Sequence, residues 1–257
     1  MALAAIAVFD TVDNKRSWMT LKTLESLAGT VDWNKHHRLF LIDNASCDET
    51  KKLYEVARNW LPFTLIENGT NIGTARAINL AWTQRKPMEA CLKMDNDVVV
   101  QQDGWLDILE ECIEREPSLG IIALKRKDLD NNPLGDGWAK TVLAPLSHTI
   151  GQKWLNIELT REAIGTCCLF NPKLLDKVGF LYQPTVYGFD DCLMAVRCEM
   201  AGFVSAFYPA IEIDHIDPGG DKYCAEKVQH AQETGELAAQ IKADYLNGRR
   251  PIYEGPS

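Results

Sequence analysis

Short apolar runs alternate with longer stretches of helical periodicity through the first half of the chain, and this rhythm restricts the fold more than any other feature. Ala4–Phe9, Arg38–Ile42, Phe63–Ile66, Ala90–Met94 and Gly120–Leu124 read as strands. Trp18–Leu27, Asp48–Trp60, Gly73–Trp82 and Gly104–Glu116 fall between them and read as helices, the last closed by Pro117. Strand–helix alternation of this kind predicts an α/β fold with a mostly parallel sheet flanked by helices. At 257 residues, a single continuous domain with a large core can account for the whole length.

The rhythm breaks between Lys125 and Gln152. Asp128–Asp136 concentrates turn-forming Asp, Asn, Pro and Gly, and Trp138, Pro145 and His148 follow, so the segment reads as a long functional loop. Beyond it, Ile164–Phe170, Val204–Tyr208 and Ile211–Ile213 read as strands. Pro172–Val178, Asp190–Ala201 and the polar stretch Tyr223–Leu246 read as helices.

Charge narrows the partners. The chain carries 27 basic and 36 acidic residues, a formal net charge of −9; its longest basic run is Lys125–Lys127, and the others, such as Arg249–Arg250, are pairs. A nucleic-acid partner is disfavoured, because backbone binding needs a face that neutralises phosphates. The apolar start Met1–Phe9 lacks a basic leader and runs into Asp10, and no apolar stretch nears the roughly 20 residues of a membrane span. The expectation is a cytoplasmic protein without stable membrane insertion. Eight scattered cysteines, none in a C-x-x-C pair, fit neither a disulfide framework nor a zinc site.

The chemistry is written at strand ends, where parallel α/β sheets bind their ligands. Asp10-Thr11 follows the first strand, Asp43–Ser46 the second, Asp95-Asn96-Asp97 the fourth and Asp214–Asp217 the last. Asp95 and Asp97 stand one residue apart at the end of an apolar strand. Alternate residues of extended chain point to one side, so both carboxylates can converge on one divalent ion. Such an ion can bridge a pyrophosphate and stabilise charge on the leaving group.

These segments resemble family 2 glycosyltransferases. Leu41–Thr50 (LIDNASCDET) is similar to their hydrophobic-D-N-x-S-x-D-x-T run, Asn71–Asn79 (NIGTARAIN) to N-x-G-x-x-x-A-x-N, and Asp95–Asp97 to the D-x-D metal motif. Tyr187–Arg197 (YGFDDCLMAVR) with Ala201–Phe203 is similar to their G-x-E-D-x-x-x-x-x-R…A-G-aromatic segment. The resemblance implies a GT-A fold with a nucleotide-sugar-binding half, residues 1–125, continuous with an acceptor-binding and catalytic half, residues 126–257. It implies that Thr11 and Asp43 hold base and ribose, that Arg76 contacts base or phosphate, and that Asp95 contacts ribose or metal. Asp97 and His215 would ligate Mn²⁺ or Mg²⁺. Asp191 would be the general base of an inverting transfer, with Asp190 replacing the family's usual Glu beside it. The donor expected from the family is a UDP-sugar. The resemblance does not name the acceptor; the expectation is a hydroxyl acceptor, with saccharide, lipid-linked glycan and protein all open and nucleic acid disfavoured. Two rivals compete with this reading. A sugar-nucleotide nucleotidyltransferase would need a Gly-rich loop after strand one, and Asp10–Arg16 has no glycine. A degenerate binding module would be expected to lose the carboxylates, which are present.

Overall fold

The computed structural model describes residues 1–128, 142–150, 153–163, 165–219 and 222–256. Its centre is a parallel block. β1 (Ala2–Val8) pairs with β2 (Arg38–Asp43) on one side and β4 (Ala90–Met94) on the other, and β3 (Thr64–Glu67) extends the block beyond β2. Along β1 the side chains divide by parity. Ala2, Ala4, Ile6 and Val8 enter one apolar cluster, and Leu3 and Ala5 enter another. A strand buried on both faces needs this unbroken apolar run rather than an alternation with polar residues.

Helices cover both faces. α1 (Ser17–Thr30), α2 (Asp48–Ala57) and α4 (Trp105–Arg115) contribute Leu24, Leu27, Tyr54, Ala57, Leu109 and Ile113 to the first cluster. The opposite face is covered by α3 (Thr74–Trp82), α5 (Pro172–Val178) and α6 (Asp190–Met200), through residues such as Ile78, Trp82, Leu174 and Met194.

Beyond β4 the sheet becomes mixed. β9 (Cys167–Phe170) lies antiparallel between β4 and β6 (Leu119–Arg126), and β6 pairs in parallel with β10 (Val204–His215). The full order is β3-β2-β1-β4-β9-β6-β10-β8-β7, where β8 is Lys153–Thr160 and β7 is Val142–Ile150, with the two-residue β5 (Val98–Val99) joined to β10 off this path. α7 (Lys222–Leu246) follows β10 and packs on α6. No helix among the described residues is long and apolar enough to cross a membrane.

Two sequence readings need correction. Residues 129–141 of the expected loop lie outside the described residues, but Val142–Ile150 is a strand, β7, antiparallel to β8 (Lys153–Thr160). Pro145 argued against a strand there, yet β7 ends the strand order and its pairing shifts register between Val142 and Pro145, an edge position of the kind that tolerates a proline. The two late strands are one, because β10 passes through a register shift between Tyr208 and Glu212, around Pro209, without ending.

Candidate functional site

The C-terminal ends of β1 and β4, the β5–β10 pair and the start of α6 surround one open cavity of about 550 Å³. On one wall, β4 delivers Asp95 and Asp97. β5 then pairs antiparallel with β10 in a register that sets His215 opposite Val98. The Ile216 amide donates to the Asp97 carbonyl at 2.9 Å, locking the two segments together. That register is why His215 Nε2 lies 3.6 Å from Asp97 Oδ2.

Asp97, His215 and Asp217 each offer a ligand atom within 4.8 Å of the others. Asp97 Oδ1 is buried and finds no hydrogen-bond partner among the described residues, an arrangement that is unfavourable unless a cation meets it. Arg16 braces the other oxygens, 3.5 Å from Asp97 Oδ2 and 2.7 Å from Asp217 Oδ2. Burial lowers the pKa of His215 against the pull of Asp97, favouring the neutral imidazole that can ligate a metal. Burial acts against ionised Asp217, but the Gly219 amide, Arg16 and Lys227 hold its carboxyl below the usual range. The donor set of one imidazole and hard carboxylate oxygens fits Mn²⁺ or Mg²⁺.

The opposite wall is the first turn of α6. Gly188 and Phe189 enter it with φ of +85° and +68°, both left-handed, an uncommon conformation for a phenylalanine. This turn presents Asp190 and Asp191 at the positive end of the helix dipole. Asp190 accepts a 2.7 Å bond from Lys93, a buried lysine one residue before the end of β4. Burial alone would discharge that amine; Asp190, Asp95 and Asp191 outweigh it and raise its pKa. Asp191 accepts from the Gly165 amide at 3.2 Å and from the Cys192 amide at 2.9 Å. Burial and the neighbouring Asp190 raise its pKa, which increases its capacity to take a proton. Asp95, between the two walls, is pushed up to about 7 by burial and by Asp97 and Asp190, against the opposing pull of Lys93.

The structure therefore brings Asp95, Asp97, His215, Asp190 and Asp191 into one cavity. Thr11, Asp43 and Arg76 are not among its lining residues. Thr11 closes a turn, its hydroxyl accepting from the Asn14 amide while Asn14 Oδ1 accepts from the Thr11 amide. Asp43 is buried and accepts from the Ser46 amide and the Tyr54 hydroxyl. Arg76 is exposed on α3. Sequence reasoning missed Lys93, Arg16 and Asp217 as partners. Lys93 carried a signal, since a lysine inside an apolar strand must be paired.

Several other motif residues serve the frame. Thr50 and Thr20 donate to Asp10 Oδ2, fastening β1 to α1 and α2. Asn79 exchanges two hydrogen bonds with Leu181, and Arg197, fully buried, donates to the carbonyls of Val178, Phe180 and Ile252.

Residues 15–179 match the model of the family described as glycosyl transferase family 2. No curated protein matches by sequence. Among solved structures, the chain is similar to the mannosyltransferase PcManGT of Pyrobaculum calidifontis in complex with GDP-Man and Mn²⁺, with a TM-score of 0.63 at 15% identity, covering 96% of this chain and 74% of that one. It is similar to TarS 1-349 of S. aureus in complex with UDP-GlcNAc, with a TM-score of 0.62 at 16% identity over 96% and 72% of the two chains. A third similar structure is GalNAc-T7 with UDP, GalNAc and Mn²⁺, with a TM-score of 0.61 at 14% identity, covering 84% of this chain and 44% of the other. The fold shared with these proteins is GT-A.

Proposed function

Because the chain belongs to glycosyl transferase family 2, we propose that it transfers a sugar from a nucleoside-diphosphate donor, a UDP-sugar, to a hydroxyl acceptor with inversion at the anomeric carbon. The observation that carries this reading is the pairing of two unlike carboxylate groups across one cavity. Asp97, with an oxygen that has no hydrogen-bond partner among the described residues, stands beside His215 and Asp217 on one wall, and Asp191 stands on the other.

In this reading Asp97, His215 and Asp217 hold a divalent cation, with Asp95 beside them. When bound, that ion would supply charge neutralisation for the donor's pyrophosphate and leaving group. Asp191 takes the proton of the acceptor hydroxyl as it attacks the anomeric carbon. Its two amide hydrogen bonds fix the carboxylate's orientation, and its raised pKa suits the task. Lys93 neutralises Asp190, so the pair of adjacent carboxylates at the helix start holds one net negative charge rather than two. Thr11, Asp43 and Arg76 are proposed contacts of the nucleoside, at the same edge of the sheet. The net charge of −9 favours a saccharide, lipid-linked glycan or protein acceptor over nucleic acid.

The decisive experiment uses Asp191→Asn, which keeps the shape and removes proton acceptance. Turnover of UDP-sugars with Mn²⁺ should fall by about 10²–10⁴ while UDP affinity holds. NMR of the product should show the anomeric configuration opposite to the donor's. Retention of configuration would overturn the inverting mechanism. Undiminished turnover would remove Asp191 as base.

A further inference from the structure

A second cluster of ligating groups lies at the other end of β2. His36 and His37 sit in the turn ahead of this strand, whereas Asp43 ends it, so the strand's six residues separate the cluster from the edge that carries the cavity by about 20 Å. α4 supplies Asp107 and Glu110, three residues apart and therefore on one helix face. His36, His37, Asp107 and Glu110 each offer one atom within 4.8 Å of the others.

The separations suit a metal. His36 Nε2 lies 3.2 Å from Asp107 Oδ1 and 3.7 Å from Glu110 Oε2. Ligands about 2.0–2.2 Å from a tetrahedral Zn²⁺ stand about 3.3–3.6 Å apart. His37 has a different part. Its Nδ1 accepts the Ala2 amide proton at 3.3 Å, which leaves Nε2 as the protonated nitrogen, 3.1 Å from Asp107 Oδ1. A fully buried imidazole donating in this way fixes the Asp107 carboxylate in place and leaves its remaining lone pairs for an ion. Glu110 is largely buried, with its Oε2 facing His36 at 3.7 Å. Asp107 also forms part of the wall of an open cavity of about 400 Å³ shared with Asp32 and Asp103, which gives a cation an acidic entry path and room for water to complete its coordination.

We propose that His36 Nε2, Asp107 and Glu110 bind a first-row divalent cation of the Zn²⁺ class, with His37 as the residue that positions Asp107. The imidazole disfavours Ca²⁺, which prefers an all-oxygen shell, and separations of 3.2 and 3.7 Å suit the short bonds of this class. Bound there, the ion clamps the turn ahead of β2 to α4 without touching the transfer chemistry, so it acts on stability.

The test uses the full chain and Zn²⁺ alone, in an Asp97→Ala background that disables the ion site of the large cavity. Equilibrium dialysis with metal analysis should find one equivalent of Zn²⁺ in Asp97→Ala and none in Asp97→Ala with His36→Ala. Zn²⁺ should raise the melting temperature of the first protein and leave the second unchanged. His36 is half-exposed and Asp107 more so, and Asp107→Asn, which can still accept from His37, asks the same question should His36→Ala fold poorly. A full equivalent retained in either double variant, or none bound by Asp97→Ala, would overturn the proposal.

Discussion

Lys93→Met tests whether the lysine inside β4 is an obligatory partner of the acidic helix start. Both members of the pair are inaccessible, with side-chain exposures of 6% for Lys93 and 8% for Asp190, and their contact is 2.7 Å. Water therefore screens the interaction little. Methionine fills the same volume, so the loss is one of charge. Asp190 would stay behind, buried and uncompensated, beside Asp191 and Asp95, whose negative charges also face the amine. Removing one partner of a buried ion pair destabilises by about 3–5 kcal/mol. At roughly 2–4 °C per kcal/mol for a chain near this size, the melting temperature should fall by about 6–20 °C. Replacing both partners together leaves no orphaned charge, so Lys93→Met with Asp190→Leu should recover most of that loss. Urea unfolding of the two single variants and the double variant completes the cycle. A loss below about 1 kcal/mol in Lys93→Met, or a double variant as unstable as the single one, would refute the argument that this charge is required by burial.

Gly165→Ala would set its new methyl 2.7 Å from Lys93 Nζ and 3.2 Å from Asp191 Cβ; with the amine tied to Asp190, it should destabilise by about 1–3 kcal/mol and lower kcat more than donor affinity, as urea melts and steady-state kinetics would show. Asp43→Ala strips acceptors from the buried Ser46 amide and Tyr54 hydroxyl, so the urea midpoint should drop by the equivalent of about 1–3 kcal/mol, while titration calorimetry with UDP reports whether the nucleotide is also affected. Glu162 has its pKa pushed up to about 8, by burial first and Asp191 second. The folded state then binds this proton more tightly than the unfolded one, so its contribution is complete below about 4.5 and is lost as pH rises through about 8. Glu162→Gln should remove that decline, and equal slopes of stability between pH 5 and 8.5 in both proteins would refute it.

The parallel half of the sheet was legible because its strands are buried on both faces and its helices on one, which produces two distinct periodicities. The second half hides its strands. β7 contains Pro145 and β10 contains Pro209, and only the edge position and the register shift make these residues acceptable. For the site, Asp95 and Asp97 could be read because the end of β4 places them together whatever the details, and Asp190 and Asp191 because a helix starts at them. Their counter-charges could not. Lys93 reaches Asp190, and Arg16 reaches Asp217, across distances in sequence that no local pattern encodes. Motif residues also divide their labour in ways that identity alone conceals. Asn79 and Arg197 satisfy buried carbonyls and an amide of the frame, whereas Asp97 leaves an oxygen open.

The short β5–β10 pairing has a consequence in time as well as space. Asp97 emerges with the first half of the chain and His215 with the last strand, so the proposed cation set is complete only when the strand contact most distant in sequence among the described residues has closed. Loop-closure entropy makes such contacts slow to form. Cation binding at this site should therefore appear as one of the last events of refolding, and a nascent chain stalled before β10 would present Asp95 and Asp97 without their imidazole.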